Sequence, residues 1–166
     1  MITIREALDN ELHLVQEIAH KTWPHTYAEI LVEEQLNFML DSFYSIETLL
    51  ESKQLKGHIF ILLFENEKCV GFTSFEHEFK KSNNTHIHKI YLLPETQGKG
   101  LGKMLLQSVQ QAAEAIDAST LSLNVNRFNS ALNFYNKLGF ETIEEVDIAI
   151  GNGYLMQDYV MEKKLL

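Results

Sequence analysis

The sequence predicts an α/β protein in which a mixed sheet of about six to seven strands carries helices on both faces. Two observations support this class. Apolar residues recur at helical spacing in some segments and at strand spacing in others, and the two kinds of segment alternate through most of the chain. No repeat or linker divides the 166 residues, so we expect one domain, residues 1–166, with a sizeable core.

The first third of the chain is predicted to be a strand followed by helices. The segment "ITIRE" has strand character, and the apolar positions from Leu8 to Trp23 are spaced along one helix face. Pro24 is expected to end that helix. The segments "VEEQLNFML" and "SIETLLES" predict two more helices, and Ser45 is the expected cap of the second.

In the rest of the chain, the spacing of the apolar residues changes several times between strand-like and helical. "HIFILLFENEKCVGFTSFEHEF" predicts two strands joined by a hairpin at "ENEK", and "NNTHIHKIYLLP" predicts another strand. An apolar stripe from Leu101 predicts an amphipathic helix. After it we expect a strand in "STLSLNV", a helix in "NSALNFYNKLG" and strands in "FETIEEVDI" and "LMQDYVMEKKL". Asn129 is the expected N-cap of that last helix, and Gly139 its C-terminal glycine.

Composition limits the environment and partners of the protein. A net charge of -9 argues against nucleic acid as a partner, because phosphate binding requires a basic face. The negative charge is weakly compatible with a cationic substrate, although the need for solubility explains it equally without such a substrate. The single cysteine, Cys69, excludes an internal disulfide. With no signal peptide and no apolar run long enough for a bilayer, we expect a cytoplasmic protein without a membrane partner.

A glycine-rich loop connects a strand to a helix in "YLLPETQGKGLGKMLLQSVQ". Glycines at 98, 100 and 102 leave backbone N–H groups uncovered, and the following helix presents its positive end at the same place. This geometry binds phosphate or pyrophosphate and predicts a phosphorylated cofactor. The spacing fits neither the dinucleotide fingerprint nor the ATP-binding loop. The alternative is a bare turn that precedes a helix.

Two motifs identify a family resemblance. The loop Gln97-Gly98-Lys99-Gly100-Leu101-Gly102, preceded by "YLLPE", resembles the cofactor loop of the GCN5-related N-acetyltransferases, the GNAT superfamily. A second motif of that family follows in the expected order, and it comprises Asn129, Ala131, Tyr135, Gly139 and Phe140. The resemblance covers the chain well from Leu55 onward, and the earlier part matches only in element order.

The resemblance implies the GNAT fold, with a mostly antiparallel sheet, and acetyl-CoA as co-substrate. In that fold the strand before the loop bulges and splays from the next strand, and the pantetheine arm fits between them. The implied cofactor-binding residues are Leu92, Leu93, Gln97, Gly98, Lys99, Gly100, Leu101, Gly102, Lys103 and Asn129. The N–H of Leu92 is expected to stabilise the oxyanion of the thioester.

The implied reaction is direct attack of an amine on the thioester in a ternary complex. Tyr135 matches the family tyrosine that donates a proton to the leaving sulfur, although its spacing also suits a core aromatic. We expect the acceptor to be a primary amine of a small molecule, such as a polyamine or an amino acid. A protein or peptide N-terminus and a non-catalytic acyl-CoA sensor are the alternatives. Members of the superfamily are often dimers, so a homodimer is possible.

The general base is less defined, because the strand before the loop has no carboxylate. His86 and His88 share one face of that strand by its period of two, and His88 is the predicted base. The alternative is that both are half-exposed strand residues.

Trp23 and Tyr27 fall where the family builds the acceptor pocket, and they are the predicted substrate-contacting residues. Packing beneath the helices explains them equally well. A metal cluster of His77, His86 and His88 lacks a third ligand fixed by spacing, so no metal is expected.

Overall fold

The computed structural model describes residues 1–166. The strands are β1 (Ile2–Glu6), β2 (Ile59–Glu65), β3 (Lys68–Glu76), β4 (Asn84–Leu92), β5 (Thr120–Asn126), β6 (Glu141–Gly151) and β7 (Tyr154–Lys164). The helices are α1 (Leu12–Tyr27), α2 (Glu33–Phe43), α3 (Ile46–Leu55), α4 (Leu101–Ala115) and α5 (Ala131–Lys137).

The strands form a seven-stranded mixed sheet in the order β1-β2-β3-β4-β5-β7-β6. Every neighbouring pair is antiparallel except β4 and β5. That parallel pair is paired only from Asn84 to Ile87, opposite Thr120 to Leu123. Beyond these residues the two strands continue without pairing, so a gap opens in the middle of the sheet.

A β-bulge lies in β4 where the gap begins. Ser74 of β3 is opposite Lys89, while its neighbour Phe75 is opposite Ile87. His88 is therefore the extra residue, and the alternation of side chains along β4 changes at that point.

The core consists of two hydrophobic clusters. One combines apolar side chains of α1, α2 and α3 with β2 and β3, and the other combines those of α4 and α5 with β5. Phe72 and Phe75 lie three positions apart on β3 and belong to different clusters. Because side chains alternate across a strand, the sheet separates the two clusters.

Helix α1 corrects one expectation, because it does not end at Pro24 but continues to Tyr27. Proline removes one helical N–H, which here leaves the carbonyl of the exposed His20 without its partner. Water can solvate that carbonyl. Trp23 and Tyr27, on either side of the proline, are 4% and 8% exposed, and their burial holds the last turn in place.

The expected helix termini are mostly confirmed. Ser45 Oγ accepts a hydrogen bond from the Thr48 N–H at 3.2 Å, and Gly139 adopts a φ of 96° after α5. The N-cap position of α5 is Ser130, one residue later than expected, but Asn129 Oδ1 still accepts from the Ala131 N–H at 2.9 Å. No helix of the chain has the length and hydrophobicity that a membrane crossing requires.

Candidate active site

The gap between β4 and β5 opens into a cleft of about 990 Å³. The unpaired ends of both strands line it, as do the glycine loop, the start of α4 and the start of α5. Residues of α1, α2 and β7 form the remaining wall. The glycine loop and the N-terminus of α4 border one end of the cleft, and side chains of α1 and α2 border the other.

The backbone of β4 faces this gap with unused donors. The Leu93 N–H donates to Val70 O of β3 at 2.8 Å. Because successive N–H groups of a strand point to opposite sides, the Leu92 N–H points away from β3 and into the gap. A Cβ on Gly71 would lie 2.4 Å from Leu92 Cδ2, so the glycine leaves room for the observed position of Leu92.

The glycine loop delivers the start of α4 to the edge of the gap. Gly98 and Gly100 have φ values of 85° and 78°, a backbone region that disfavours other residues. Gly100 directly precedes the helix, whose first N–H groups have no partner within it. The Gly102 Cα is so close to Leu92 that an added Cβ would lie 3.5 Å from Leu92 Cδ1. The positive end of α4 therefore adjoins the free edge of β4.

Most of the predicted site residues line this one cleft. They are Trp23, Tyr27, His88, Leu92, Gln97, Gly98, Gly100, Leu101, Gly102, Lys103, Asn129 and Tyr135.

Two predicted cofactor residues lie outside the cleft. Leu93 is 2% exposed and packs in the core, and its N–H already bonds to Val70. The ammonium group of Lys99 forms a salt bridge with Glu65 at 3.4 Å instead of lining the cleft. The alternation of side chains explains why Leu93 lies outside the cleft that Leu92 lines, since neighbouring residues of a strand face opposite sides.

Four tyrosines line the cleft, namely Tyr27, Tyr44, Tyr91 and Tyr135. Tyr135 is 7% exposed, and burial raises the pKa of its hydroxyl, so the group stays protonated and able to donate. The hydroxyl groups of Tyr27 and Tyr91 are 2.9 Å apart. The Trp23 ring lies between these two rings, with centroid distances of 4.8 Å and 5.8 Å. Trp23 Nε1 is buried and has no hydrogen-bond partner.

Asp158 of β7 is a buried carboxylate in the cleft wall. It is 3% exposed, no salt bridge involves it, and Asn124 Nδ2 donates to it over a long 3.5 Å. Burial raises the pKa of Asp158 because the charged form is poorly solvated. Its charge also contributes to the raised pKa of Tyr27, behind burial as the main cause. The cleft thus holds a buried carboxylate that forms no salt bridge, although Asn124 and the charge of Arg127 partly offset the effect of burial on its pKa.

His88 occupies the bulge and lines the cleft. Its Nε2 is hydrogen-bonded to Glu76 Oε1 at 3.0 Å, and its ring stacks on His58 at a centroid distance of 3.9 Å. Burial, followed by the charge of His58, lowers the pKa of His88 to about 3. The ring is therefore neutral at physiological pH, but its affinity for a proton is low. Nε2 of His58 lies 3.3 Å from the same Glu76 oxygen.

The two other histidines considered from the sequence have different partners. Nδ1 of His77 is 2.8 Å from Thr85 Oγ1, and Nδ1 of His86 is 2.7 Å from Ser122 Oγ. The group of three whose ligand atoms lie close together combines His88 with His58 and Glu76, and does not include His77 or His86. No spacing or motif in the sequence groups His58 and Glu76 with His88.

Lys89 lies directly after the bulge and also lines the cleft. Its Nζ is 5.4 Å from the ring centroid of Tyr44, and no carboxylate forms a salt bridge with it. Burial, followed by the charge of Lys56, lowers the pKa of Lys89 to about 8. The cleft therefore contains the ammonium group of Lys89 without a carboxylate partner, as well as the carboxylate of Asp158.

Neither Asp158 nor Lys89 is among the site residues predicted from the sequence. Met156, Asp158 and Val160 alternate along β7, and an acidic residue within an apolar stripe is the pattern that marks Asp158. Lys89 has no comparable pattern, because its direction depends on the bulge.

Comparison with known proteins agrees with this architecture. The family model described as "Acetyltransferase (GNAT) domain" matches residues 18–163. The chain therefore belongs to the GNAT acetyltransferase family, and the resemblance inferred from its two motifs is confirmed.

Several members of this family are similar over most of their length. The spermidine N(1)-acetyltransferase of Thermoplasma acidophilum is 30% identical over 98% of this chain and 97% of its own. A [ribosomal protein bS18]-alanine N-acetyltransferase of Haemophilus influenzae is 31% identical over 70% of this chain and 73% of its own. The crystal structure of the PaiA N-acetyltransferase of T. acidophilum in complex with coenzyme A has a TM-score of 0.84, 29% identity and 99% coverage of both chains.

Proposed function

We propose that the protein transfers the acetyl group of acetyl-CoA to a primary amine of a small molecule, by direct attack in a ternary complex. The observation that carries the proposal is the unpaired gap between β4 and β5, bordered by the N-terminus of α4 and by the Tyr135 hydroxyl. The single cysteine supports the cytoplasm as the place of this reaction.

The donor fits the gap as a short additional strand. The pyrophosphate would lie at the N–H groups between Gln97 and Lys103, where the positive end of α4 favours an anion. The pantetheine arm would extend along β4 and bring the thioester to the Leu92 N–H. That N–H points into the gap, and it would stabilise the negative charge that develops on the carbonyl oxygen during attack. The similarity to PaiA, which was solved in complex with coenzyme A, supports coenzyme A as the group that binds here.

Two protons must move during the reaction. The amine nitrogen forms a C–N bond with the acetyl carbon, the C–S bond breaks, and the thiolate leaves. Tyr135 would give its proton to that thiolate, since burial keeps the hydroxyl protonated. A base must take the proton that the attacking amine loses.

The cleft offers two residues for the role of base. His88 is the residue expected from the sequence, and its neutral ring lines the cleft, but Nε2 is already bonded to Glu76. Asp158 is a carboxylate without a salt bridge, and burial raises its pKa toward a more useful range. We propose His88 and Asp158 as alternative proton acceptors, and the comparison of His88→Gln with Asp158→Asn decides between them.

A polyamine is the acceptor class that we favour. Asp158 would attract an ammonium group, and Trp23 and Tyr27 would form apolar walls for a methylene chain. The net charge of -9 favours the approach of a cation. The similarity to a spermidine acetyltransferase supports the same class.

An amino acid is the second candidate, and Lys89 is the observation that favours it. Its ammonium group lines the cleft without a salt bridge. An acceptor that carries both an amine and a carboxylate would satisfy Asp158 and Lys89 at the same time.

The test is release of free thiol from acetyl-CoA against three groups of acceptors, namely polyamines, amino acids and peptides with free N-termini. We expect turnover with polyamines, and we expect Lys89→Met to increase it by removing a repelling charge. Turnover with amino acids, lost in Lys89→Met, would select the second candidate.

Two further results would contradict the proposal. Acetylation of peptides alone would make the protein an N-terminal acetyltransferase. Tight binding of acetyl-CoA, measured by calorimetry, with no thiol release for any acceptor would make it an acyl-CoA sensor.

A further inference from the structure

We propose that His58, Glu76 and His88 form a binding site for a divalent transition metal ion, best suited to Zn²⁺. The site lies on one face of three neighbouring strands. Of its three residues, only His88 has a proposed part in acetyl transfer, as one of two alternative proton acceptors. The inference rests on the positions of the three side chains and is independent of the donor and the acceptor.

The three residues are placed by the sheet. Glu76 ends β3 and His58 directly precedes β2, where the neighbouring pair is Ile59 with Phe75. His88 comes from β4, where the bulge makes it the unpaired extra residue. The three ligands lie on or beside neighbouring strands, so the sheet holds their backbone positions close together.

The donor atoms already have a spacing that suits a metal ion. Nε2 of His58 and Nε2 of His88 lie 3.3 Å and 3.0 Å from Glu76 Oε1, and all three ligand atoms lie within 4.8 Å of one another. Ligands of tetrahedral zinc are bound at about 2.0 to 2.2 Å, which separates neighbouring ligand atoms by roughly 3.3 Å. Two imidazoles and one carboxylate form a ligand set that zinc uses with an open fourth position.

Binding would require a modest change of the rings. The planes of His58 and His88 are nearly parallel, at 9°, so each ring must rotate to direct its Nε2 lone pair at a shared ion. The exposures of the three side chains are 10%, 26% and 21%, which leaves space for rotation and for an entering ion. With one carboxylate, the occupied site would keep a positive charge near Lys56 and Lys89. We therefore expect weaker binding than at structural zinc sites with charged thiolate ligands.

The site adjoins the cleft through His88, which belongs to both. An ion held by Nε2 of His88 would remove that nitrogen from any role as a proton acceptor. It would also connect β2, β3 and β4 at the end of the sheet where the gap begins. Metal binding is thus expected to raise the stability of the fold by binding only the folded chain.

The experiment uses the full chain, first treated with a chelator and then dialysed. Calorimetric titration with Zn²⁺ is expected to give one ion per chain. His58→Gln and Glu76→Gln are each expected to weaken the affinity at least tenfold. His20→Gln is the matched control, because His20 is an exposed histidine of α1 outside the cluster. Circular dichroism verifies that each variant is folded.

A second measurement does not depend on variants. X-ray absorption of the zinc-loaded wild-type chain should show nitrogen and oxygen ligands, with scattering from two imidazole rings and none from sulfur. The proposal is overturned if Zn²⁺ binds the wild-type chain no better than it binds Glu76→Gln, or if a single imidazole is found. In that case both histidines simply donate hydrogen bonds to Glu76.

Discussion

The hydroxyl groups of Tyr27, at the end of α1, and Tyr91, on β4, lie 2.9 Å apart across the wall of the cleft. This hydrogen bond joins the helix that would contact the acceptor to the strand that would hold the donor. It also fixes two aromatic rings against Trp23. The position of the last turn of α1, beyond Pro24, therefore depends on the strand at the gap.

The Tyr27–Tyr91 pair can be tested by a double-mutant cycle. Tyr27→Phe and Tyr91→Phe should each lower the free energy of unfolding by about 1 kcal/mol, because each leaves a buried hydroxyl without its partner. The double variant should cost clearly less than the sum of the two single variants. Urea unfolding measures all three values. Simple additivity of the two costs would show that the hydroxyls do not interact in solution.

Tyr135→Phe should reduce the rate of thiol release at least tenfold, which corresponds to about 1.4 kcal/mol of transition-state stabilisation. The ring and its packing remain, so we expect little change in stability. The matched control is Tyr154→Phe, since Tyr154 packs on Phe38 at 5.4 Å between centroids and lies outside the cleft. Equal rates for Tyr135→Phe and the wild type would remove Tyr135 from the mechanism.

Asp158→Asn should lower activity and raise stability. The pKa of Asp158 is raised in the folded chain, so its stabilising effect is complete below the unfolded pKa of about 3.9 and is lost as pH rises through the folded pKa. At pH 7 the folded chain carries a poorly solvated charge that asparagine does not have.

The measurement for Asp158 is Tm as a function of pH. The variant should melt at a higher temperature than the wild type at pH 7 to 8, and the difference should narrow as pH falls toward about 4. A wild-type chain that is the more stable of the two at pH 8 would indicate that Asp158 is well solvated or paired.

Gly100→Ala should weaken binding of acetyl-CoA. The φ of 78° at Gly100 would cost a residue with a side chain about 1 to 2 kcal/mol, and relaxing that strain would displace the start of α4. Gly57→Ala is a well-matched control, because Gly57 has a φ of 74° and, like Gly100, has no atom within 4 Å of an added Cβ. Gly57 lies outside the cleft.

Both glycine variants should lose similar stability, and only Gly100→Ala should raise the KM for acetyl-CoA. A fluorescence or calorimetric titration with coenzyme A provides the same comparison without turnover. A KM that rises equally in Gly57→Ala would attribute the effect to general destabilisation.

The loop and the later elements could be predicted from the sequence because their determinants are local. The strand end before Pro94, the glycines from Gly98 onward and the terminating Gly139 each act on their own segment. The continuation of α1 through Pro24 could not be predicted in this way. It depends on the burial of Trp23 and Tyr27 by other elements, which a helical pattern does not contain.

The parts of the site that sequence reasoning missed depend on contacts between distant strands. Asp158 enters the cleft because β7 lies beside β5, and His58 meets His88 because β2, β3 and β4 are neighbours. The bulge at His88 decides the direction of Lys89. The spacing of apolar residues in a single segment predicts neither the order of the strands in the sheet nor the position of a bulge.

The short pairing between β4 and β5 has a mechanical consequence. Four residue pairs join β1–β4 to β5–β7, whereas six pairs join β3 to β4 and seven join β5 to β7. The sheet therefore consists of two halves that are joined by hydrogen bonds at one end only, and the gap between β4 and β5 is where it is held together least. Acetyl-CoA bound in this gap would connect the two halves of the sheet. At a concentration a hundred times its Kd, it would add about 2.7 kcal/mol to the free energy of unfolding. We expect amide hydrogen exchange to slow in both β4 and β5 when coenzyme A is added. Because the bound chain opens less often, its resistance to proteolysis should also increase with the concentration of the donor.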